Sequence, residues 1–345
     1  MRALRLTAWQ HDPELLEVAD PEPGPGAVVV RIGGAGACHS DLHLMHDFPA
    51  GLLPFDPPFT LGHENAGWVE SVGAGVTGLE PGQPVAVYGA WGCGHCSRCL
   101  QGMENYCENR AEFKREGCGL GFDGGMAPRL LVPSARHIVP LTDLDPVDAA
   151  PLTDAGLTPY HAVKRSLDRL VPGSTALVIG AGGLGHLAIQ IRDAISPAQV
   201  VAVDQSPDAL QLAQTVGASH GVLAGDTAAD EVRELTKGRG TDLVLDFVGV
   251  DATIALATAV ARPLSHVTLI GIGMGSYPFS FFTVPYEVSL ASTYWGSVSE
   301  LYEVVALAEA GKVKAHVQRY SLDDAPKAYE DMAAGTLHGR AVIVP

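Results

Sequence analysis

Apolar positions follow two different patterns along the chain. Up to about residue 150 they come in short β-type runs, at 28–32, 67–72 and 84–88. Turn signals such as Pro23-Gly24-Pro25-Gly26 and Pro81-Gly82 separate these runs. Short strands punctuated by Gly and Pro predict a compact, largely antiparallel β unit. From about residue 155 the pattern becomes apolar strand, turn, helix, repeated, with strands expected at 176–179, 200–203, 243–248, 267–272 and 288–293. Ser206-Pro207-Asp208 reads as a cap followed by proline at the first helical position, and Gly217 stands where that helix would end. A helical stretch at 226–237 stops at Gly238 in the same way. Such alternation predicts a parallel, doubly wound sheet. The tail offers helices at 299–310 and 326–334 and a strand at 341–344. The tail is expected to rejoin the first unit, which makes that unit discontinuous.

Composition narrows the class. With 345 residues, the chain has room for two domains with full cores. Its 47% hydrophobic and 18% charged residues suit a globular protein in water. A formal net charge of −17 opposes binding to nucleic acid or anionic lipid. No apolar run approaches the roughly 18 residues of a membrane span. The N-terminus lacks a secretion signal, so a cytoplasmic location is expected.

Three stretches carry chemistry. Gly180-Ala181-Gly182-Gly183-Leu184-Gly185 lies between an apolar strand and a helical pattern, the order required of a dinucleotide loop. Gly180 permits the tight turn, Gly182 lets the backbone approach a pyrophosphate, and Gly185 lets the helix pack on the strand. Asp204 follows 19 residues after Gly185, with no Arg or Lys beside it, so it would accept the adenosine ribose hydroxyls and repel a 2′-phosphate. The cofactor expected is therefore NAD. Cys93, Cys96, Cys99 and Cys107 fall within fifteen residues and would wrap a tetrahedral zinc ion, closed to substrate and hence structural. Disulfides are the competing reading. Lastly, Cys38-His39-Ser40-Asp41-Leu42-His43 gathers a thiol, two imidazoles, a hydroxyl and a carboxylate after a strand and the glycine-rich bend 33–36. Its thiol suits a nucleophile, a redox centre or a metal ligand.

Gly62-His63-Glu64-Asn65-Ala66-Gly67 and Leu152-Thr153-Asp154-Ala155-Gly156 complete a pattern. Together with the stretches above, the chain resembles the zinc-dependent medium-chain alcohol dehydrogenases over essentially its whole length. Residues 153–161 and Tyr294-Trp295-Gly296 resemble the actinobacterial NAD-dependent secondary alcohol dehydrogenases and carbonyl or phenylacetaldehyde reductases. The resemblance implies an α/β protein. A GroES-like β-rich catalytic domain would span 1–154 and 295–345, carrying the structural zinc loop 93–107. A Rossmann NAD-binding domain would span 155–294.

It further implies one catalytic zinc ion beside the structural one, held by Cys38, His63 and Asp154. Asp154 stands where many members of the family have a second cysteine, a water or substrate oxygen would take the fourth place, and Glu64 could enter the shell transiently. By the same resemblance Ser40 contacts the substrate oxygen and passes its proton through the nicotinamide ribose towards His43, while Asp41 orients His63. Cofactor contacts are implied for His39, Thr158, Gly183, Leu184, Phe247, Val248, Gly249, Ile270, Gly271 and, on the phosphates, Arg340.

Phe55, Leu120, Tyr294 and Trp295 are candidate walls of an apolar substrate pocket. The expected reaction is reversible hydride transfer between NAD and hydrophobic secondary alcohols, ketones or aldehydes, by a homodimer or homotetramer. Alternatives are a polyol or amino-alcohol dehydrogenase of the same superfamily, or a zinc-free, non-enzymatic nucleotide-binding relative.

Overall fold

The computed structural model describes residues 1–345 and divides into two units. Met1–Leu157, Trp295–Gly311 and Ala315–Pro345 form one, and Thr158–Tyr294 with Lys312–Lys314 form the other. No helix is long and apolar enough to cross a membrane.

The first unit is built on a seven-stranded sheet. Across it run Ile138–Pro140, Pro84–Val87, Glu64–Val72, Val28–Ala37, Arg340–Val344 and Val317–Ser321, with Arg129–Val132 also paired to Val28–Ala37. All pairings are antiparallel except that of Val317–Ser321 with Arg340–Val344. Val28, Val30, Ile32, Val85 and Val87 place their side chains in one core with Phe59, Met126 and Tyr329.

The glycine-rich stretch expected to be a bend is not one, because Val28–Ala37 is a single ten-residue strand. Its glycines answer crowding from neighbouring strands. A Cβ on Gly36 would stand 1.9 Å from a carboxylate oxygen of Glu64, so only glycine lets that buried side chain lie across the strand. The strand thereby delivers Cys38 directly to its end, where Cys38 becomes the N-cap of the short helix His39–Leu42.

The second unit is a six-stranded parallel sheet in the order His220–Leu223, Gln199–Asp204, Thr175–Ile179, Thr241–Asp246, Ala261–Leu269, Ser289–Ser292. In the unit's own numbering this is 3-2-1-4-5-6, with the winding reversing at Thr175–Ile179. That strand is buried throughout, as a strand covered on both faces must be. Ser206 caps the helix Pro207–Thr215 by accepting from Ala209 N at 3.3 Å. Thr241–Asp246 ends two residues earlier than expected, because Asp246 Oδ1 captures the Val248 and Gly249 N–H groups and turns the chain out of the sheet. The fifth strand begins at Ala261, six residues before its apolar run, and includes polar and exposed positions that the pattern gave no reason to include.

Candidate active site

Four side chains from three distant segments converge in the first unit. Ligand atoms of Cys38, His63, Glu64 and Asp154 all lie within 4.8 Å of one another. Cys38 sits at a strand end, His63 just before Glu64–Val72, and Asp154 after the helical turn Ala150–Thr153. Asn65 N donates to Thr153 Oγ1 at 3.1 Å, tying the His63 and Asp154 segments together.

The four donors are not equivalent. Glu64 is claimed by Arg340, whose Nε donates to Oε2 at 2.9 Å and whose Nη2 donates to Oε1, and Ala155 N also donates to Oε1 at 3.1 Å. Burial pushes the Glu64 carboxyl up to about 7, and the facing guanidinium pulls against that shift. Arg340 is itself held protonated well above its usual range, and we read the fork-to-fork pair as ionic. Arg340 was expected on the cofactor phosphates. Its side chain is 4% exposed, and two of its nitrogens serve Glu64. With Glu64 so engaged, Cys38, His63 and Asp154 form a three-donor, open-sided set, the pattern of a catalytic zinc site.

The charges around these donors fit a cation. Burial works against a Cys38 thiolate, yet Arg340 and His63 bring its pKa below the usual thiol range. Burial likewise opposes a charged His63, but Asp41 and Asp154 more than offset it. His63 Nε2 lies 3.5 Å from Asp154 Oδ2, and Nδ1 lies 3.3 Å from Asp41 Oδ1. A buried thiolate, imidazole and carboxylate packed this closely suit a divalent metal better than they suit one another.

The relay candidates follow Cys38 within five residues of chain. Ser40 and His43 are three residues apart and share a face of the turn. His43 Nδ1 pairs with Asp47, and its ring stacks on Phe48 at 5.7 Å. His39 is exposed, with its pKa depressed by partial burial and by the nearby His43, so toward a phosphate it is a neutral donor.

Trp295 brings its ring to 6.0 Å from His63. Phe55 belongs to the apolar core against Trp9 and Phe59, with Leu120 packed at the edge of that core. Tyr294 and Thr158 fall in the second unit.

Cys93, Cys96, Cys99 and Cys107 also gather within 4.8 Å and form no disulfide, so the competing reading fails here. Cys93 Sγ and Cys99 Sγ are 3.8 Å apart, the edge of a tetrahedron with Zn–S bonds of about 2.3 Å. The Cys99 N–H brings Cys96 down to about 6, while burial pushes Cys99 and Cys107 up. Four thiolates cannot share so small a volume without a cation.

In the second unit the loops after three strands lie together. A Cβ on Gly185 would stand 2.0 Å from Gly180 O, and one on Gly180 would stand 2.9 Å from Val248. A Cβ on Gly182 would meet nothing, so packing does not demand that glycine, whereas a closely approaching pyrophosphate does. The helix Gly185–Ile195 points its N-terminus at this loop. Asp204 Oδ2 accepts from Ala181 N at 2.7 Å and Oδ1 from Ser206 N at 2.8 Å, leaving each oxygen a lone pair for ribose hydroxyls. Ile270 N and Gly271 N both bond Asp246 O, which brings that turn beside Phe247 and Val248.

Sequence reasoning missed Tyr329, whose hydroxyl donates to Asp41 Oδ2 at 2.8 Å across 288 residues, and it missed the partner of Arg340. A lone Tyr in an amphipathic helix carries no signal that would have found it.

Comparison with known proteins finds relatives along the whole chain. A family model described as alcohol dehydrogenase GroES-like domain matches residues 24–143, and one described as zinc-binding dehydrogenase matches residues 183–310. An NAD-dependent alcohol dehydrogenase of Sulfurisphaera tokodaii is 35% identical, with 100% of both chains covered. The crystal structure of an alcohol dehydrogenase from Aeropyrum pernix matches with TM-score 0.93 at 38% identity, over 100% of both chains. An acetophenone reductase from Geotrichum candidum, solved with NAD, matches with TM-score 0.87 at 30% identity, over 100% of this chain and 97% of that one.

Proposed function

The chain belongs to the zinc-dependent medium-chain alcohol dehydrogenase family, and on that premise we propose that it interconverts hydrophobic secondary alcohols with their ketones, and aldehydes with primary alcohols. It is an NAD-dependent oxidoreductase of CH–OH groups, with NAD and zinc as its cofactors. The observation that carries the reading is the three-donor set Cys38, His63 and Asp154, kept open because Arg340 occupies Glu64.

When bound, zinc supplies Lewis acidity toward the alcohol or carbonyl oxygen and NAD supplies the hydride acceptor. The chain's own residues do the rest. Ser40 would accept the proton of the substrate hydroxyl, and His43, fixed by Asp47, would pass it on to solvent. His63 keeps Nε2 for the metal because Asp41 faces Nδ1. Asp204 accepts the ribose hydroxyls and disfavours NADP. Trp295 supplies an apolar wall, which favours aryl or aliphatic ketones over polyols. The acetophenone reductase among the related structures acts on a molecule of that kind.

We also infer a homo-oligomer. The outer edge of Ser289–Ser292 carries no strand, and the preceding segment exposes Phe279, Phe281, Phe282 and Tyr286, with Phe282 91% exposed. A second copy pairing edge to edge would cover both. A cytoplasmic location fits the reduced thiols that both metal sites need.

Initial rates with NADH against acetophenone, aliphatic ketones, aldehydes and keto-sugars, set beside metal analysis, test the reading. Turnover of apolar ketones by protein holding zinc at both sites is expected. Preference for keto-sugars, or a clear preference for NADPH, would overturn it.

A further inference from the structure

Asp41 touches two of the three ligand-bearing segments, those of Cys38 and His63. It is fully buried. Its Oδ2 accepts from Cys38 N at 3.0 Å, while its Oδ1 faces His63 Nδ1 at 3.3 Å. One carboxylate therefore stands between the backbone of Cys38 and the imidazole of His63. A carboxylate can pivot about its Cβ–Cγ bond, because that torsion is broad. Something must hold it, and the second donor on Oδ2 is the hydroxyl of Tyr329 at 2.8 Å. Tyr329 rides on the helix Ala325–Ala333, is buried, and also lies 3.3 Å from Met126 Sδ.

We propose that Tyr329 is a positioning residue for the catalytic metal. By loading Oδ2 together with Cys38 N, it aims Oδ1 at His63 and so fixes the direction of the His63 Nε2 lone pair. This rests on the assignment of Cys38, His63 and Asp154 as the metal set. The chemistry agrees with the geometry. Burial and the adjacent Asp41 hold the Tyr329 hydroxyl protonated far above its usual range, so it remains a donor at any working pH. Its bond to Asp41 is short and buried, where a donor to a carboxylate is strongest. Helix, carboxylate and ligand thus form a chain running from the C-terminal part of the sequence to the metal.

The test is Tyr329→Phe in the zinc-loaded protein, with Met126→Leu as a control that alters the same packing and leaves the O–H···O bond intact. Two readouts are taken besides turnover. One is the rate at which a chelator strips catalytic zinc, with structural zinc counted separately. The other is the visible spectrum after cobalt replaces the catalytic zinc. Tyr329→Phe should release catalytic zinc about 10-fold faster, shift the cobalt bands and lower kcat, with KM for NADH held within a factor of about 2. Met126→Leu should match the parent protein in all of these.

Parent-like zinc release and cobalt bands in Tyr329→Phe overturn the proposal. Absence of catalytic zinc from the parent protein instead overturns the metal assignment beneath it. Should Tyr329→Phe not fold, the parent chain made with fluorotyrosine carries the same test. Its more acidic hydroxyl must move the cobalt bands, and unmoved bands overturn the proposal.

Discussion

At the scale of single residues, the two carboxylates of the site differ in the partners they keep. Asp154 and Glu64 both lie within reach of the same metal position, yet Glu64 is paired with a guanidinium that is itself buried. Asp154→Ala should therefore lose catalytic zinc, keep structural zinc, and cut turnover about 10³-fold or more, as metal analysis beside kinetics will show. Ser40→Ala separates proton handling from metal binding. Zinc content should stay at the parent level while kcat/KM falls by about 10²–10⁴-fold, and parent-like turnover would remove Ser40 from the mechanism. A substitution at Arg340 acts differently, because it leaves Glu64 buried without a counter-charge. Arg340→Met should cost about 3–5 kcal/mol in denaturant unfolding.

At the scale of elements, the structural cysteine loop leans on its neighbours as well as on zinc. Glu104 accepts from Gly92 N and Arg136 Nε, both at 2.6 Å, and lies 3.0 Å from His137 Nε2. Burial alone would raise its carboxyl, but His137 and Arg136 outweigh burial and hold it at about 2, against an ordinary 4.5. A depressed folded-state value means stability that is present above pH 4.5 and lost as pH falls toward 2. Glu104→Gln should accordingly lower Tm at neutral pH, with the gap to the parent protein closing below about pH 4.5.

Elements also show what could be read in advance. The cysteine loop and Gly180–Gly185 were legible because their chemistry is written within fifteen residues or six, where spacing alone decides which atoms meet. The strand Val28–Ala37 was cut short in sequence reading, because four small residues look like a turn until Glu64 and Trp68 are seen lying across them. Asp41 was legible as a partner of His63 only through family resemblance. Tyr329 was not legible at all, since 288 residues separate donor from acceptor and no periodicity encodes a contact of that range. The partner of Arg340, at a separation of 276, was hidden for the same reason.

At the scale of the whole molecule, apolar surface is unevenly spent. The second unit keeps Phe281 in ring contact with both Phe282 and Tyr286, all three exposed beside an open strand edge, an arrangement that a protein of net charge −17 would not keep for solubility. Phe282→Asp should shift the protein to smaller species by light scattering, and an unchanged mass would exclude this edge as the interface. The other large-scale feature is that Arg340–Val344 lies between Val28–Ala37 and Val317–Ser321 in the first unit's sheet. A ribosome therefore finishes the entire nucleotide-binding stretch before the strand that completes the metal-binding sheet has emerged. Until then the nascent chain holds Glu64 without its guanidinium and Asp41 without its phenol. Zinc offered during synthesis should accordingly be captured early by the cysteine loop and late by Cys38.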